Sequence, residues 1–167
     1  MNKRFFIDMD GVLAVYNFDL PSFDMLYEKN YFLSRPPHEN IVAAIKQMIA
    51  DGDEVFILSA VLKDSEYALF EKHEWLDKYL PEVNCKHRIF TLCGEDKISY
   101  VPAFNPNRDI LVDDYCENCL TWRRAGGTYV KVSRDVKDAF YEGGKHTNVI
   151  NPNMLPESIV YAIRHSK

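Results

Sequence analysis

After three residues the chain runs Arg4-Phe5-Phe6-Ile7-Asp8-Met9-Asp10-Gly11-Val12-Leu13-Ala14. Phe5, Phe6 and Ile7 are a short apolar run of high β propensity, so Arg4 to Met9 reads as a buried strand. The run ends in two aspartates two residues apart. Gly11 follows and suggests a turn that redirects Asp10 away from the strand direction.

Downstream the same grammar repeats. Glu54 to Leu58 is a second apolar strand and it runs into Ser59-Ala60. Arg88 to Leu92 is a third, with a short helix expected near Glu95 and Lys97 close behind. Asp109 to Val112 is a fourth, and it delivers Asp113-Asp114. Thr128 to Val132 makes a fifth, after a helix that stops at Gly126-Gly127. Ile41, Ala44, Ile45, Met48 and Ile49 recur at helical spacing, with Gly52 placed for a left-handed C-cap. Leu69, Phe70, Trp75 and Leu76 mark a helix from near Ser65 to Tyr79, and Pro81 stops it. Ile159, Val160 and Ile163 mark a last helix over Pro156 to His165. Strands alternating with helices predict an α/β domain with a mostly parallel five-stranded sheet covered on both faces.

The 167 residues suit one domain spanning 1–167, with 47% apolar and 27% charged residues typical of a globular protein. No stretch approaches the roughly 18 apolar residues of a membrane span. The N-terminus lacks the pattern of a secretory leader, which places the protein in the cytoplasm with no membrane partner. A net charge of −5 disfavours nucleic acid as a partner. Cys116 and Cys119 form a lone C-x-x-C pair, while Cys85 and Cys93 form no second knuckle, so reduced thiols are expected rather than zinc or redox chemistry.

Ligands of parallel sheets bind beyond the carboxyl ends of the strands. Asp8, Asp10, Ser59, Lys97, Asp113 and Asp114 all fall there. Carboxylates gathered in one place repel each other unless a hard cation joins them, and Mg²⁺ prefers carboxylate and phosphate oxygens. Lys97 and the Ser59 hydroxyl then suit phosphate oxygens. With the dianion neutralised, a carboxylate can attack phosphorus. Asp10 is placed to protonate a leaving alkoxide and later deprotonate water. Each element alone is weak: Asp113-Asp114 reads equally as a turn or a helix cap, Ser59 as a helix cap or a partner of backbone groups, and Lys97 as a solvated side chain. Their order along the strands carries the argument.

With these motifs the chain resembles the haloacid dehalogenase superfamily of phosphohydrolases. Asp8-Met9-Asp10-Gly11-Val12 matches the first motif, Ser59 the second, Lys97 the third and Asp113-Asp114 the fourth. The resemblance implies a Rossmann-like three-layer α/β/α sandwich with the first strand central. It implies Asp8 as nucleophile and Asp10 as general acid and base, with Ser59, Ala60 and Lys97 on the phosphate. Mg²⁺ would be held by the Asp8 carboxylate, the Asp10 main-chain carbonyl and Asp113 or Asp114. Within the superfamily the chain is most similar to the cytosolic type C 5′(3′)-deoxyribonucleotidases. Tyr31-Phe32-Leu33, Glu71-Lys72-His73-Glu74-Trp75-Leu76 and Ile110-Leu111-Val112-Asp113-Asp114 extend that similarity. A (deoxy)nucleoside monophosphate is then the expected substrate.

The insert at about 15–37 is too short for a helical bundle and gives only a reduced cap. Its aromatics Phe18, Phe23, Tyr27 and Phe32 are candidates to stack a base, with Phe18 and Phe32 taken as the substrate pocket; the competing reading is that they bury the insert against the sheet. A homodimer would cover the open site in another way. His38, His73, Arg35, Trp75 and Trp122 read as packing or surface residues. The alternatives are a phosphatase of another monoester or of a nucleic-acid terminus, and a binding or regulatory module without turnover.

Overall fold

Each apolar run read as a strand is one in the computed structural model, which describes residues 2–16, 20–135, 140–141 and 144–167. In chain order the elements are β1 (Arg4–Ile7), α1 (Glu39–Ala50), β2 (Glu54–Val61), α2 (Ala68–Tyr79), β3 (Arg88–Leu92) and β4 (Asp109–Asp113). Then come α3 (Cys116–Arg124), β5 (Thr128–Val132), β6 (Phe140–Tyr141), β7 (Gly144–Lys145), β8 (Val149–Ile150) and α4 (Pro156–Arg164). The main sheet has the order β3-β2-β1-β4-β5-β8, parallel throughout, and β6 and β7 form a separate antiparallel ribbon.

Six strands therefore replace the five expected. The sixth, β8, is two residues long, too short to show a period in sequence, and it is recruited by pairing Val149 and Ile150 with Lys131 and Val132. Ser59 lies inside β2 rather than after it, because pairing with β3 continues through Ser59–Phe90 to Val61–Leu92. The second helix starts at Ala68, later than Ser65, whose hydroxyl accepts from the Ala68 amide at 3.1 Å. Near Glu95 the chain makes a 3-10 turn over Lys97–Tyr100, started by the Asp96 carboxylate accepting from the Ile98 amide.

Alternation along β1 sorts its side chains between two layers. Phe5 and Ile7 join Val55, Ile57, Ile110 and Val112 under α1 and α4, together with Trp75 and Leu76 of α2. Phe6 joins Phe56, Leu58 and Leu111 under Cys119 and Trp122 of α3. Both tryptophans are thus packing residues, one on each face.

Where the sheet begins, Arg4 of β1 is clamped to Asp109 of β4. Arg4 donates to both carboxylate oxygens at 2.8 and 2.6 Å, and Asp109 also accepts from the Asn105 amide and the Arg108 guanidinium. Burial raises the proton affinity of the Asp109 carboxyl, but these donors outweigh it and hold it below the usual range. The clamp sets β1 in register with β4, Ile7 opposite Val112.

The insert folds down onto α2. Its base closes where Ala14 bridges Pro37. Tyr31 and Phe32 are buried against Ala68, while Phe23 and Tyr27 are exposed on a 3-10 turn. The buried Glu71 carboxylate accepts from the main-chain amides of Asn30, Phe32 and Leu33, and Trp75 donates its Nε1–H to the Arg35 carbonyl at 2.8 Å. Phe18 lies outside the described residues.

Asp109→Ala should destabilise the fold by about 3–5 kcal/mol, because it leaves the Arg4 guanidinium buried without its counter-charge. Urea unfolding checks this. A lowered folded pKa gives stability present above the unfolded value and lost as pH falls, so the difference between wild type and variant should shrink in acid below about pH 4.

Candidate active site

The strand register carries the sequence motifs to one place. Ile7 stands between Ile57 and Val112, so Asp8, one residue on, stands beside Leu58 and Asp113. Strand order reverses between β1 and β4, where a parallel sheet opens its crevice. Asp8, Asp10, Ser59, Ala60, Lys97, Asp113 and Asp114 all assemble at this edge.

Lys97 is buried and sits between two of the carboxylates, 2.9 Å from Asp8 Oδ1 and 2.7 Å from Asp113 Oδ2. Burial works against its charge, yet Asp113 and Asp8 outweigh burial and raise its pKa, so the ammonium is retained. Asp113 is further committed. Its Oδ1 accepts from the Tyr115 amide at 2.8 Å and its Oδ2 from the Asn118 side chain at 3.0 Å.

Asp114 contrasts with its neighbour. Its main-chain carbonyl accepts from Lys131, but its carboxyl has no ion pair or hydrogen bond among the described residues. Burial first, then Asp8 and Asp113, push that carboxyl up to about 8. It lies against the turn after β1. A Cβ on Gly11, whose φ is +78°, would come within 1.9 Å of Asp114 Oδ2. The turn is tied by the Gly11 amide to the Ala14 carbonyl and the Ala14 amide to the Met9 carbonyl, both at 2.8 Å. Glycine here serves both the left-handed backbone and the space for a carboxyl.

The turn also sends Asp10 away from the other carboxyls, to Lys72. Lys72 is fully buried on α2, and its Nζ donates to Asp10 Oδ2 at 2.6 Å, Ser59 Oγ at 3.1 Å and the Ala60 carbonyl at 2.5 Å. Burial is the main cause of the raised pKa of Asp10. Asp8 adds to it and Lys72 opposes it. Phe32 lies with its ring centroid 4.8 Å from Lys72 Nζ, which brings the insert to the site's wall.

Sequence alone gives Lys72 no role, because in Glu71-Lys72-His73-Glu74 it is one charge among several on a helix. The available signal was position: Lys72 shares a helix face with Ala68, Trp75 and Leu76, all buried, and an inward lysine needs a carboxylate. Other sequence candidates stay apart. His73 packs on Phe90, and Arg35 lies over the Tyr31 ring. His38 starts α1 without making a side-chain cap, and burial, then Arg134, lower its pKa to about 4.

The donor set fits a hard divalent cation. Carboxylate oxygens of Asp8, Asp113 and Asp114 lie within 4.8 Å of one another. Among the described residues, only Lys72 and Lys97 form ion pairs with the four carboxyls gathered here, which leaves the cluster two charges short of neutrality if all are ionised.

Comparison with known proteins agrees with this architecture. Residues 19–134 match the family model described as 5′ nucleotidase, deoxy (pyrimidine), cytosolic type C protein. No curated protein matches the sequence. Among solved structures, the D,D-heptose 1,7-bisphosphate phosphatase from Burkholderia thailandensis superposes with a TM-score of 0.63 at 15% identity, covering 98% of this chain and 97% of that one. At that identity it shows a shared fold. No helix among the described residues is long and apolar enough to cross a membrane.

In chelator-treated protein Asp114 should make stability fall as pH rises. Its folded pKa lies above the ordinary carboxylate value, so the contribution is full below about pH 4 and is lost progressively towards pH 8. Asp114→Asn should therefore be the more stable protein at pH 9, by on the order of a few kcal/mol, and equal to wild type near pH 4. Thermal unfolding in EDTA across that range checks the sign, and excess divalent cation at pH 9 should favour wild type instead.

Proposed function

The chain belongs to the 5′ nucleotidase, deoxy (pyrimidine), cytosolic type C family and is a phosphomonoester hydrolase, and from that premise we propose that it is a Mg²⁺-dependent deoxyribonucleotidase working through phosphorylated Asp8. The observation that carries the proposal is the Lys97 bridge between Asp8 and Asp113, with the open Asp114 carboxyl beside it. The residues that would hold Mg²⁺ are Asp8, Asp114 and the Asp10 carbonyl. Asp113 is occupied by Lys97, Asn118 and Tyr115 and supports the lysine. Mg²⁺ supplies neutralisation of the phosphate dianion, without which a carboxylate cannot approach it.

In the first step a carboxylate oxygen of Asp8 forms a bond to phosphorus while the bond to the leaving oxygen breaks. Asp10, whose proton affinity burial raises, gives a proton to the departing alkoxide. Lys72 engages Oδ2 and holds Asp10 in one orientation. Lys97 and Ser59 take phosphate oxygens. In the second step Asp10 takes a proton from water, whose oxygen bonds to phosphorus as the Asp8–phosphate bond breaks. Phosphate leaves and the carboxylates return to their starting state. Phe32 bounds the space beyond Asp10, where the organic part of the ester lies.

Phosphate release from a panel of deoxynucleoside and ribonucleoside monophosphates, with Mg²⁺ or EDTA, tests the reading. Metal-dependent release favouring deoxynucleotides is expected, and Asp8→Asn should lower it at least a thousandfold with the fold intact. Asp10→Asn should reduce turnover about 10²–10⁴-fold without a matching loss of affinity, because both proton transfers fail. Activity of Asp8→Asn above a few per cent would refute the nucleophile. Release from none of the panel by well-folded protein would refute the substrate class and point to larger phosphoesters or a binding role.

A further inference from the structure

Glu71 is a buried acidic residue that belongs neither to the metal-binding carboxylates nor to the phosphate site. Glu71 is 3% exposed, and its carboxylate has no ion-pair partner among the described residues. A buried carboxylate without a cation is expensive unless hydrogen bonds replace its water. Here three main-chain amides of the insert do so. Asn30 N–H points at Oε1, while Phe32 and Leu33 donate to Oε2 at 3.0 and 3.3 Å. Asn30 takes φ +69°, a left-handed turn that asparagine tolerates, and amides on both sides of Tyr31 face one anion.

The neighbours of Glu71 on the helix explain why this matters. Lys72, the next residue, holds Asp10. Trp75, one turn on, holds the Arg35 carbonyl, where the insert returns to the sheet. Between these anchors Phe32 lies against Lys72, and Tyr31 meets Phe32 edge-on with centroids 5.0 Å apart. One face of α2 therefore fixes both the acid that meets the leaving oxygen and the aromatic wall beside it.

We propose that Glu71 is a specificity-determining positioning residue: its grip on the amides of Asn30, Phe32 and Leu33 fixes the insert, with the buried Tyr31–Phe32 pair as its inner layer, beside Lys72 and Asp10, and so sets the space left for the organic part of the phosphate ester. It acts without touching the reacting atoms. The insert's position is set before substrate arrives, so the ordering cost of a mobile cap is not charged against binding. This rests on the phosphatase reading of the site and names, within it, what selects the leaving group.

The test is Glu71→Gln, in which one oxygen becomes an amide nitrogen facing a main-chain N–H. A deoxynucleoside 5′-monophosphate is compared with deoxyribose 5-phosphate, which has the same leaving oxygen but no base. KM for the nucleotide should rise about ten- to a hundredfold at nearly constant kcat. Turnover of deoxyribose 5-phosphate should be unchanged, and hydrogen exchange at residues 30–35 should accelerate while the strands stay protected. Trp75→Phe removes a single bond to the same segment; it should shift KM in the same direction by less, and it carries the test if Glu71→Gln does not fold. Equal losses of kcat on both substrates would overturn the proposal, as would unchanged nucleotide KM. If wild type hydrolyses neither ester, the proposed substrate class fails on its own, and unaltered exchange at 30–35 in Glu71→Gln would still refute the tether.

Discussion

Asp8 directly follows β1 and Asp113 ends the adjacent β4, and Lys97 lies between them at 2.9 and 2.7 Å. A parallel sheet with this strand order brings its central carboxyl ends together, so without a counter-charge these two side chains would force apart the strands that the Arg4–Asp109 clamp aligns at the opposite end. The ammonium therefore does structural and chemical service at once. It lets the sheet close, and it waits beside Asp8 as the charge that a phosphate oxygen would meet. The same crowding of carboxyls raises the pKa of Asp114, and once that group ionises the site is a poor place for an anion until a cation is bound.

Separation of Asp10 from that cluster is the second organising feature. Asp8 and Asp10 are two residues apart, and an uninterrupted strand would aim both at the same neighbours. Gly11 turns the chain, the turn closes on Ala14, and Asp10 reaches Lys72 instead. Two carboxyls from one short motif thus acquire different environments, one on a cation bridge and one half-withdrawn in a buried contact with a raised pKa. Chemical division of labour follows from a backbone conformation.

Helix α2 joins these parts to the insert. In the absence of a helical bundle, the segment over the site is held by a few polar contacts to one helix face and a small aromatic cluster. Such an arrangement is stiff for its size because the amides that anchor it are bound to a charge in a low-dielectric setting.

Local sequence was enough for the strands, the helices and the polar residues that end each strand. Apolar runs of four or five residues interrupted by carboxylates, serine and glycine have one economical arrangement, and Asp8, Asp10, Ser59, Lys97, Asp113 and Asp114 could be named from that pattern. Nothing local could reveal β8, whose two residues are strand only because β5 lies beside them. Lys72 and Glu71 were hidden for the same reason. In sequence they are a charged pair on a helix. Burial, the amides of a segment some forty residues away and the Asp10 carboxylate give them their roles. Asp113 and Asp114 were indistinguishable as letters, and only the packing of Lys97, Asn118 and Gly11 around them separates a committed carboxylate from a free one. Periodicity and turn chemistry are properties of neighbours along the chain, so sequence determined the elements and the chemical types; partners for buried charges come from distant segments, so tertiary structure alone decided which charge meets which.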